Sequence, residues 1–171
     1  MDQRSAIPAQ AFRKALSRFA TGVTIITVAH GEQVHGMTAN AFMSVSLNPP
    51  LVLISVGHNA NMYKLLELES HYGVNILSDD QEALSRHFGG RPQRGLEIAF
   101  MHEHGVPLLK GAIAHLVAKV VDIHPAGDHT LFIGEVEYLQ DRHGSPLLFY
   151  AASYAQVTNR HPAEIETLGW M

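Results

Sequence analysis

The stretch Gly36-Met-Thr-Ala-Asn-Ala-Phe-Met-Ser-Val-Ser-Leu-Asn-Pro-Pro50 joins two apolar runs with small residues, hydroxyls and one amide. Ala39, Ala41, Thr38 and Ser44 are small enough to let a flat or phosphorylated ligand reach the backbone, whose N–H groups can donate to it. Ser44 and Ser46 stand two apart, so in an extended chain both hydroxyls share one face, while Met43, Val45 and Leu47 are expected to enter a core. Pro49-Pro50 closes the run, because neither residue can donate to a sheet ladder, and Leu51-Val-Leu-Ile-Ser-Val56 reads as the next strand. On residues alone, this is either a ligand cradle, with Asn40 at its centre, or a plain polar connection between strands.

Outward from the cradle, β-branched Val23 to His30 is bounded by Gly22 and Gly31, and the chain returns through Gln33-Val-His, predicting a hairpin. Upstream, Phe12, Leu16 and Phe19 mark one helical face over Pro8 to Ala20, opened by a proline suited to a first turn. Downstream, Asn59 to Leu68 carries Met62, Leu65 and Leu66 at helical spacing behind an asparagine cap, followed by a strand from Tyr72 to Leu77. Asp79-Asp80 offers a cap for a helix over about Gln81 to Phe88. Two long apolar segments, Ala112 to His124 and His129 to Gln140, flank Pro125-Ala-Gly-Asp128 and read as paired antiparallel strands. In the second, Leu131, Ile133 and Leu139 are expected on one face and Phe132, Val136 and Tyr138 on the other. Pro146-Leu-Leu-Phe-Tyr150 adds a strand. Without regular βαβ alternation, the set predicts a mainly β fold, a closed antiparallel barrel with short flanking helices.

The chain has 171 residues, 46% hydrophobic and 16% charged, which is one domain's worth with a sizeable core. We take residues 1–171 as a single domain, with its core over about 10–157 and a polar tail over 158–171 in which Leu168 and Trp170 could dock on a partner subunit. A net charge of −4 and no Lys/Arg block disfavour nucleic acid and anionic membranes. Cysteine is absent, which excludes disulfides, thiolate metal sites and cysteine nucleophiles. No apolar signal core opens the chain and no run approaches the ~20 apolar residues of a membrane span, so a cytoplasmic location is expected.

Twelve histidines raise the question of a metal, yet His102-Glu-His104, His115 and His124 lack ligand spacing, and no metal site is expected. Neither a G-x-S-x-G elbow nor a G-x-G-x-x-G cradle occurs, so hydrolase chemistry is disfavoured and any nicotinamide nucleotide binds without a Rossmann turn. The segment Phe88-Gly-Gly-Arg-Pro-Gln-Arg-Gly95, with Arg86 before it, is either a phosphate-binding rim or a solvated loop. His129, in Gly127-Asp-His, stands at a hairpin lip, where local chemistry alone reads a turn with Asp128 capping its own backbone.

Taken together, His35-Gly-Met-Thr-Ala-Asn-Ala-Phe-Met-Ser-Val-Ser-Leu-Asn-Pro49, Phe19-Ala-Thr-Gly-Val-Thr24 and Gly127-Asp-His-Thr-Leu-Phe-Ile-Gly-Glu135 resemble the short-chain flavin reductases, the reductase components of two-component flavin-dependent monooxygenases of the phenol or 4-hydroxyphenylacetate hydroxylase type. The resemblance spans roughly residues 10 to 157. It implies a homodimeric FMN-binding split β-barrel of Greek-key type that reduces FMN or FAD with NADH or NADPH and couples transiently to a separate monooxygenase. It further implies flavin contacts at Thr38, Ala39, Asn40, Ala41, Ser44 and Ser46, with Ser55 and Asn59 beside them, and near Ser85, Phe88 and Gly89. His129 is expected on the nicotinamide side as the catalytic contact, with Tyr154 a weaker candidate for the same face. Hydride passes directly from nicotinamide to flavin when the rings stack, so no indispensable catalytic acid is expected. Two competing readings are a non-enzymatic flavin-binding electron carrier and an oxidase of the pyridoxamine-phosphate type on a related barrel.

Overall fold

Runs of β-branched residues bounded by glycine and proline become strands here, and the computed structural model describes them over residues 7–158. Helix α1 (Ala9–Leu16) leads into β1 (Thr21–Gly22), β2 (Thr24–His30), β3 (Gln33–Ala39), β4 (Phe42–Leu47) and β5 (Pro50–Gly57). After a 3-10 turn at Asn61–Lys64 come β6 (His71–Ile76), a second 3-10 turn at Asp79–Gln81 and α2 (Glu82–Phe88). The chain then forms β7 (Phe100–Glu103), β8 (Val106–Leu109), β9 (Ala114–Ala126), β10 (His129–Asp141), β11 (Leu148–Tyr150) and β12 (Ser153–Ala155). The tail with Leu168 and Trp170 lies outside the described residues.

Seven strands form one antiparallel sheet in the order β3-β2-β6-β9-β10-β5-β4, while β1-β11-β12 and β7-β8 make two small sheets. Its edge strands, β3 and β4, are consecutive in sequence and separated only by Asn40 and Ala41. Three Cα steps from Ala39 to Phe42 span at most ~11 Å, so the sheet curls until its edges nearly meet at this corner. The edges do not pair with each other, so the closed barrel read from the strands alone gives way to the split β-barrel that the resemblance implies. The seam of the split is the cradle itself.

The interior is filled by Ile54, Val56, Tyr72, Val74, Val120 and Phe132, none more than 1% exposed. Strands β9 and β10 pair as expected over nearly their full length, but bulges between Ile133 and Gly134 and between Val136 and Tyr138 shift the register. The second bulge breaks the two-face alternation read from sequence: Phe132 and Val136 pack in the main core, whereas Tyr138 packs against Val106, Leu108 and Val117.

Several local expectations are overturned. Helix α1 stops at Leu16, where i→i−3 bonds (Arg18 N–H to Ala15, Phe19 N–H to Leu16) tighten the chain. Its apolar face is not buried in this chain: Phe12, Leu16 and Phe19 are all exposed. Asn59 to Leu68 forms only the short 3-10 turn, without a side-chain cap, because burying Met62 and Leu66 suits a single turn before β6. The turn leading into α2 starts not at Asp79 but at Ser78, which forms a capping box with Gln81, whose Oε1 accepts the Ser78 N–H at 3.1 Å, while Asp80 accepts the Ser78 hydroxyl. Met43, Val45 and Leu47 face solvent rather than a core, since β4 is an edge strand bulged between Ser44 and Ser46. The hairpin β7–β8, unread in the sequence, covers Val117 through Val106 and Leu108.

Candidate active site

The seam opens into two clefts that share walls. One, of about 910 Å³, is apolar and lies between α1 with the turn that follows it (Phe12, Leu16, Phe19) and the cradle residues Ala41, Phe42 and Met43. The other, of about 590 Å³, is polar and lined by Thr38, Ser85, Arg86, Gly89, Arg91 and Tyr154. Asn40, Phe149 and Ala152 belong to both. Thus Thr38 to Met43 runs from the polar cleft into the apolar one, and Asn40 and Ala41 lie outside every strand ladder.

The polar cleft is held by a hydrogen-bond chain. Thr38 donates its hydroxyl to the Ser85 carbonyl at 2.7 Å, tying β3 to α2. Ser85 is fully buried and its Oγ meets the Tyr154 hydroxyl at 2.8 Å. The Arg86 guanidinium lies 4.9 Å from the centre of the Tyr154 ring and pairs with Glu82 at 2.6 Å. Phe88 is packed flat on the backbone of Gly36: a Cβ there would stand 2.5 Å from its Cδ1 and Cε1. Phe88 therefore braces the cleft instead of lining it.

Ser44, Ser46, Ser55 and Asn59 line neither cleft. The Ser46 Oγ accepts the Asn48 N–H at 3.2 Å within the turn before β5. The Ser55 N–H donates to the Ala41 carbonyl at 3.1 Å, so β5 anchors the cradle from below. Two residues further along that strand, roughly 7 Å away, Gly57 pairs in register with His129. Gly57 has no side chain to crowd the imidazole, whose Nε2 would be 3.4 Å from a Cβ placed there. His129 Nδ1 is 2.7 Å from Asp128 Oδ1, and this bond holds the Asp128 carboxyl below its ordinary range. Because a carboxylate only accepts, Nδ1 carries the proton, and Nε2, beside Gly57, has no hydrogen-bond partner among the described residues.

The residues present fit a flavin and a nicotinamide. The apolar cleft suits a flat ring system, guanidinium groups suit phosphate, and the Thr21 Oγ1 on its wall is buried with no partner among the described residues. No group of three His, Cys, Asp or Glu among the described residues is placed to hold one metal ion.

A model of the flavin reductase like domain matches residues 16–158. The chain belongs to this family. It is 52% identical over 145 residues to an NADH-dependent flavin reductase of a Rhodococcus species, covering 83% of this chain and 82% of the relative. Over 149 residues it is 40% identical to the reductase component of 4-hydroxyphenylacetate 3-monooxygenase of Thermus thermophilus, covering 86% of this chain and 96% of the relative. The solved structure of the flavin reductase PheA2 in its native state matches it with a TM-score of 0.86 and 46% identity, over 90% of this chain and all (100%) of that one.

Within this flavin reductase fold, sequence reasoning overlooked three residues of the cleft walls, Thr21, Phe149 and Ala152, and the pairing of Asp128 with His129. Asp128 was legible only as a turn residue, since its neighbour's ring orientation is a tertiary matter. Ala152 carries no chemical signal at all; its place between the clefts comes from the tight β11–β12 hairpin.

Proposed function

We propose that the protein is an NADH-dependent flavin oxidoreductase of one domain, which reduces FMN or FAD and releases it to a separate monooxygenase. The observation that carries this reading is the continuous run Thr38 to Met43, which lines an apolar cleft at one end and an arginine-bearing cleft at the other. A bound flavin supplies the electron-accepting ring, to which a stacked nicotinamide gives hydride. The chain's own work is orientation. Backbone N–H groups of Asn40 and Ala41 face the polar edge of the ring, and Thr38, Ser85 and Gly89 shape the way to its phosphate. His129, held by Asp128, offers Nε2 to the nicotinamide carboxamide and keeps that ring in register with the flavin. No protonation step is asked of a side chain.

The protein works as a homodimer in this reading. Support comes from two uncovered apolar elements, α1 with Phe12, Leu16 and Phe19, and edge strand β4 with Met43, Val45 and Leu47, which are too much exposed greasy surface for a lone chain. Light scattering at micromolar concentration checks it, and a monomer mass refutes it. Among the described residues no helix is long and apolar enough to cross a membrane; we place the protein in the cytoplasm beside its NADH supply.

The deciding experiment follows NADH absorbance with FMN, with FAD and with no flavin added. Flavin-dependent oxidation supports the reading, whereas tight flavin binding without oxidation identifies an electron carrier instead.

A further inference from the structure

We infer that the mouth of the barrel at the β2–β3 hairpin binds a phosphate-type dianion, gripped by His30, His35 and Lys64. The inference is independent of the reductase reading, because no residue lining this mouth lines either cleft of the seam. Strand alternation puts these side chains there. Ile26 and Val28 of β2 belong to the main core, and the next position on that inward row is His30. Met37 of β3 packs against the same core, and its row runs back through His35 to Gln33. The register pairs Ile26 with Met37, Val28 with His35 and His30 with Gln33, so the lining of the barrel changes from apolar to imidazole and amide toward this end. The 3-10 turn at Asn61–Lys64 lies over it, pinned by the fully buried Met62. Residues three apart eclipse in such a turn, which sets Asn61 and Lys64 on one face. Between them is a cleft of about 290 Å³, with His30, Gln33 and His35 on one side and Asn61, Lys64 and Leu65 on the other. Mouths of β-barrels are favoured ligand sites.

The chemistry of this cleft suits an anion. Among the described residues no Asp or Glu lines it, and Glu32, in the turn between the two strands, stays outside. Among the same residues none of its three ionisable side chains is paired with a carboxylate. Burial, and next the nearby His30, hold the His35 pKa below its ordinary value, as expected where like groups meet without a counter-charge. An anion between them supplies that counter-charge, and His35 takes up a proton as it binds. The donors are an ammonium, two imidazoles and the amides of Gln33 and Asn61, spread over three elements. That is more than the two oxygens of a carboxylate can use, and it matches a tetrahedral oxyanion. The volume exceeds that of a phosphate ion and leaves room for the first carbons of a phosphate monoester against Leu65.

Binding is read by calorimetry and by the shift in Tm, with inorganic phosphate, glycerol phosphate and sulfate, each against chloride at matched ionic strength. Expected is a Kd on the order of 1 mM for phosphate near pH ~6, as three charge-assisted contacts allow, with Tm raised by about 3–6 °C at about ten times that concentration. Sulfate keeps its charge across this range, so its affinity should fall severalfold as pH rises through ~6.5 and the imidazoles discharge. Lys64→Met and His35→Gln should each weaken phosphate by about 10-fold and retain flavin-dependent NADH oxidation, while Arg91→Ala leaves phosphate affinity within about twofold. Lys64 is exposed on a single turn, so Lys64→Met tests the site even if His35→Gln does not fold. Phosphate and sulfate effects no larger than those of chloride overturn the inference. A loss in Arg91→Ala without one in Lys64→Met also overturns it, by moving the anion to the seam, as does sulfate binding that ignores pH. Glycerol phosphate binding as tightly as phosphate supports the site with a monoester as its ligand, and exclusion of glycerol phosphate supports it with the free ion.

Discussion

Replacing Gly36 by alanine tests how the cradle is braced. A Cβ at this position would lie 2.5 Å from Cδ1 and Cε1 of Phe88, closer than real side chains approach, and 3.3 Å from its Cγ. Removing a glycine from a strand interior ordinarily stabilises, by about 0.4–1 kcal/mol, through the unfolded state. Here overpacking opposes that gain, and forcing a packed core to yield costs about 1–3 kcal/mol. The clash wins because Phe88 is a rigid ring at the end of α2, packed in a cluster with Leu77, Leu109 and Leu147, and has no flexible tip to swing away. The expected net loss is about 1–2 kcal/mol, which for a chain of this size lowers Tm by roughly 2–8 °C. The displacement also reaches function. Phe88 moves with α2, which carries Ser85 and Arg86, so flavin affinity should fall while the His129 side of the groove is untouched. Thermal unfolding followed by circular dichroism, with a flavin titration, measures both effects. The double variant Gly36→Ala, Phe88→Leu should recover a substantial part of the loss, since the smaller, flexible side chain can make way. A Gly36→Ala protein with wild-type Tm and flavin affinity would refute the reasoning.

His129→Ala should leave flavin affinity nearly unchanged and lower kcat/KM for NADH by about 5- to 30-fold, the equivalent of roughly 1–2 kcal/mol of lost hydrogen bonding, as steady-state kinetics would read. Asp128→Asn should produce a smaller loss of the same kind by releasing the ring. Because the Asp128 carboxyl titrates below its ordinary value, the pair is intact above the normal carboxylate range and is lost only as pH falls through that lowered value, so Asp128 itself adds no pH dependence near neutrality. Tyr72→Phe removes a hydroxyl that is buried without a partner among the described residues, and stability to urea should hold or rise, by up to about 1–3 kcal/mol. Burial raises the Tyr72 pKa, so the unfolded chain ionises first: wild-type stability is complete below pH 10.0, the ordinary tyrosine value, and declines above it, a decline that should be shallower in the variant. Ala152→Gly should raise Tm by a few degrees, since relief of a left-handed alanine, about 1–2 kcal/mol, exceeds glycine's added chain entropy.

Much of the protein is determined by local sequence. The strands β2, β5, β6, β9 and β10 follow from β-branched runs between glycine and proline, because strand propensity and turn chemistry act over a few residues. The cradle between Gly36 and Pro50 is visible for the same reason: small residues and hydroxyls crowd one short stretch. What local chemistry cannot decide is which face of an element finds a partner. Met43, Val45 and Leu47 look like core residues, but they lie outside because β4 ends its sheet, and an edge position is a property of the whole strand order. The face of α1 is likewise legible as apolar, while its exposure over a cleft depends on elements far along the chain. Site assembly is tertiary in the same sense. Thr38 meets Ser85 across 47 residues and Ser85 meets Tyr154 across 69, contacts that exist only once the sheet has curled to bring its two edges together at Asn40 and Ala41. Residue types alone chose the chemistry available at that corner; the curl of the sheet decided which of them stand within a hydrogen bond of one another.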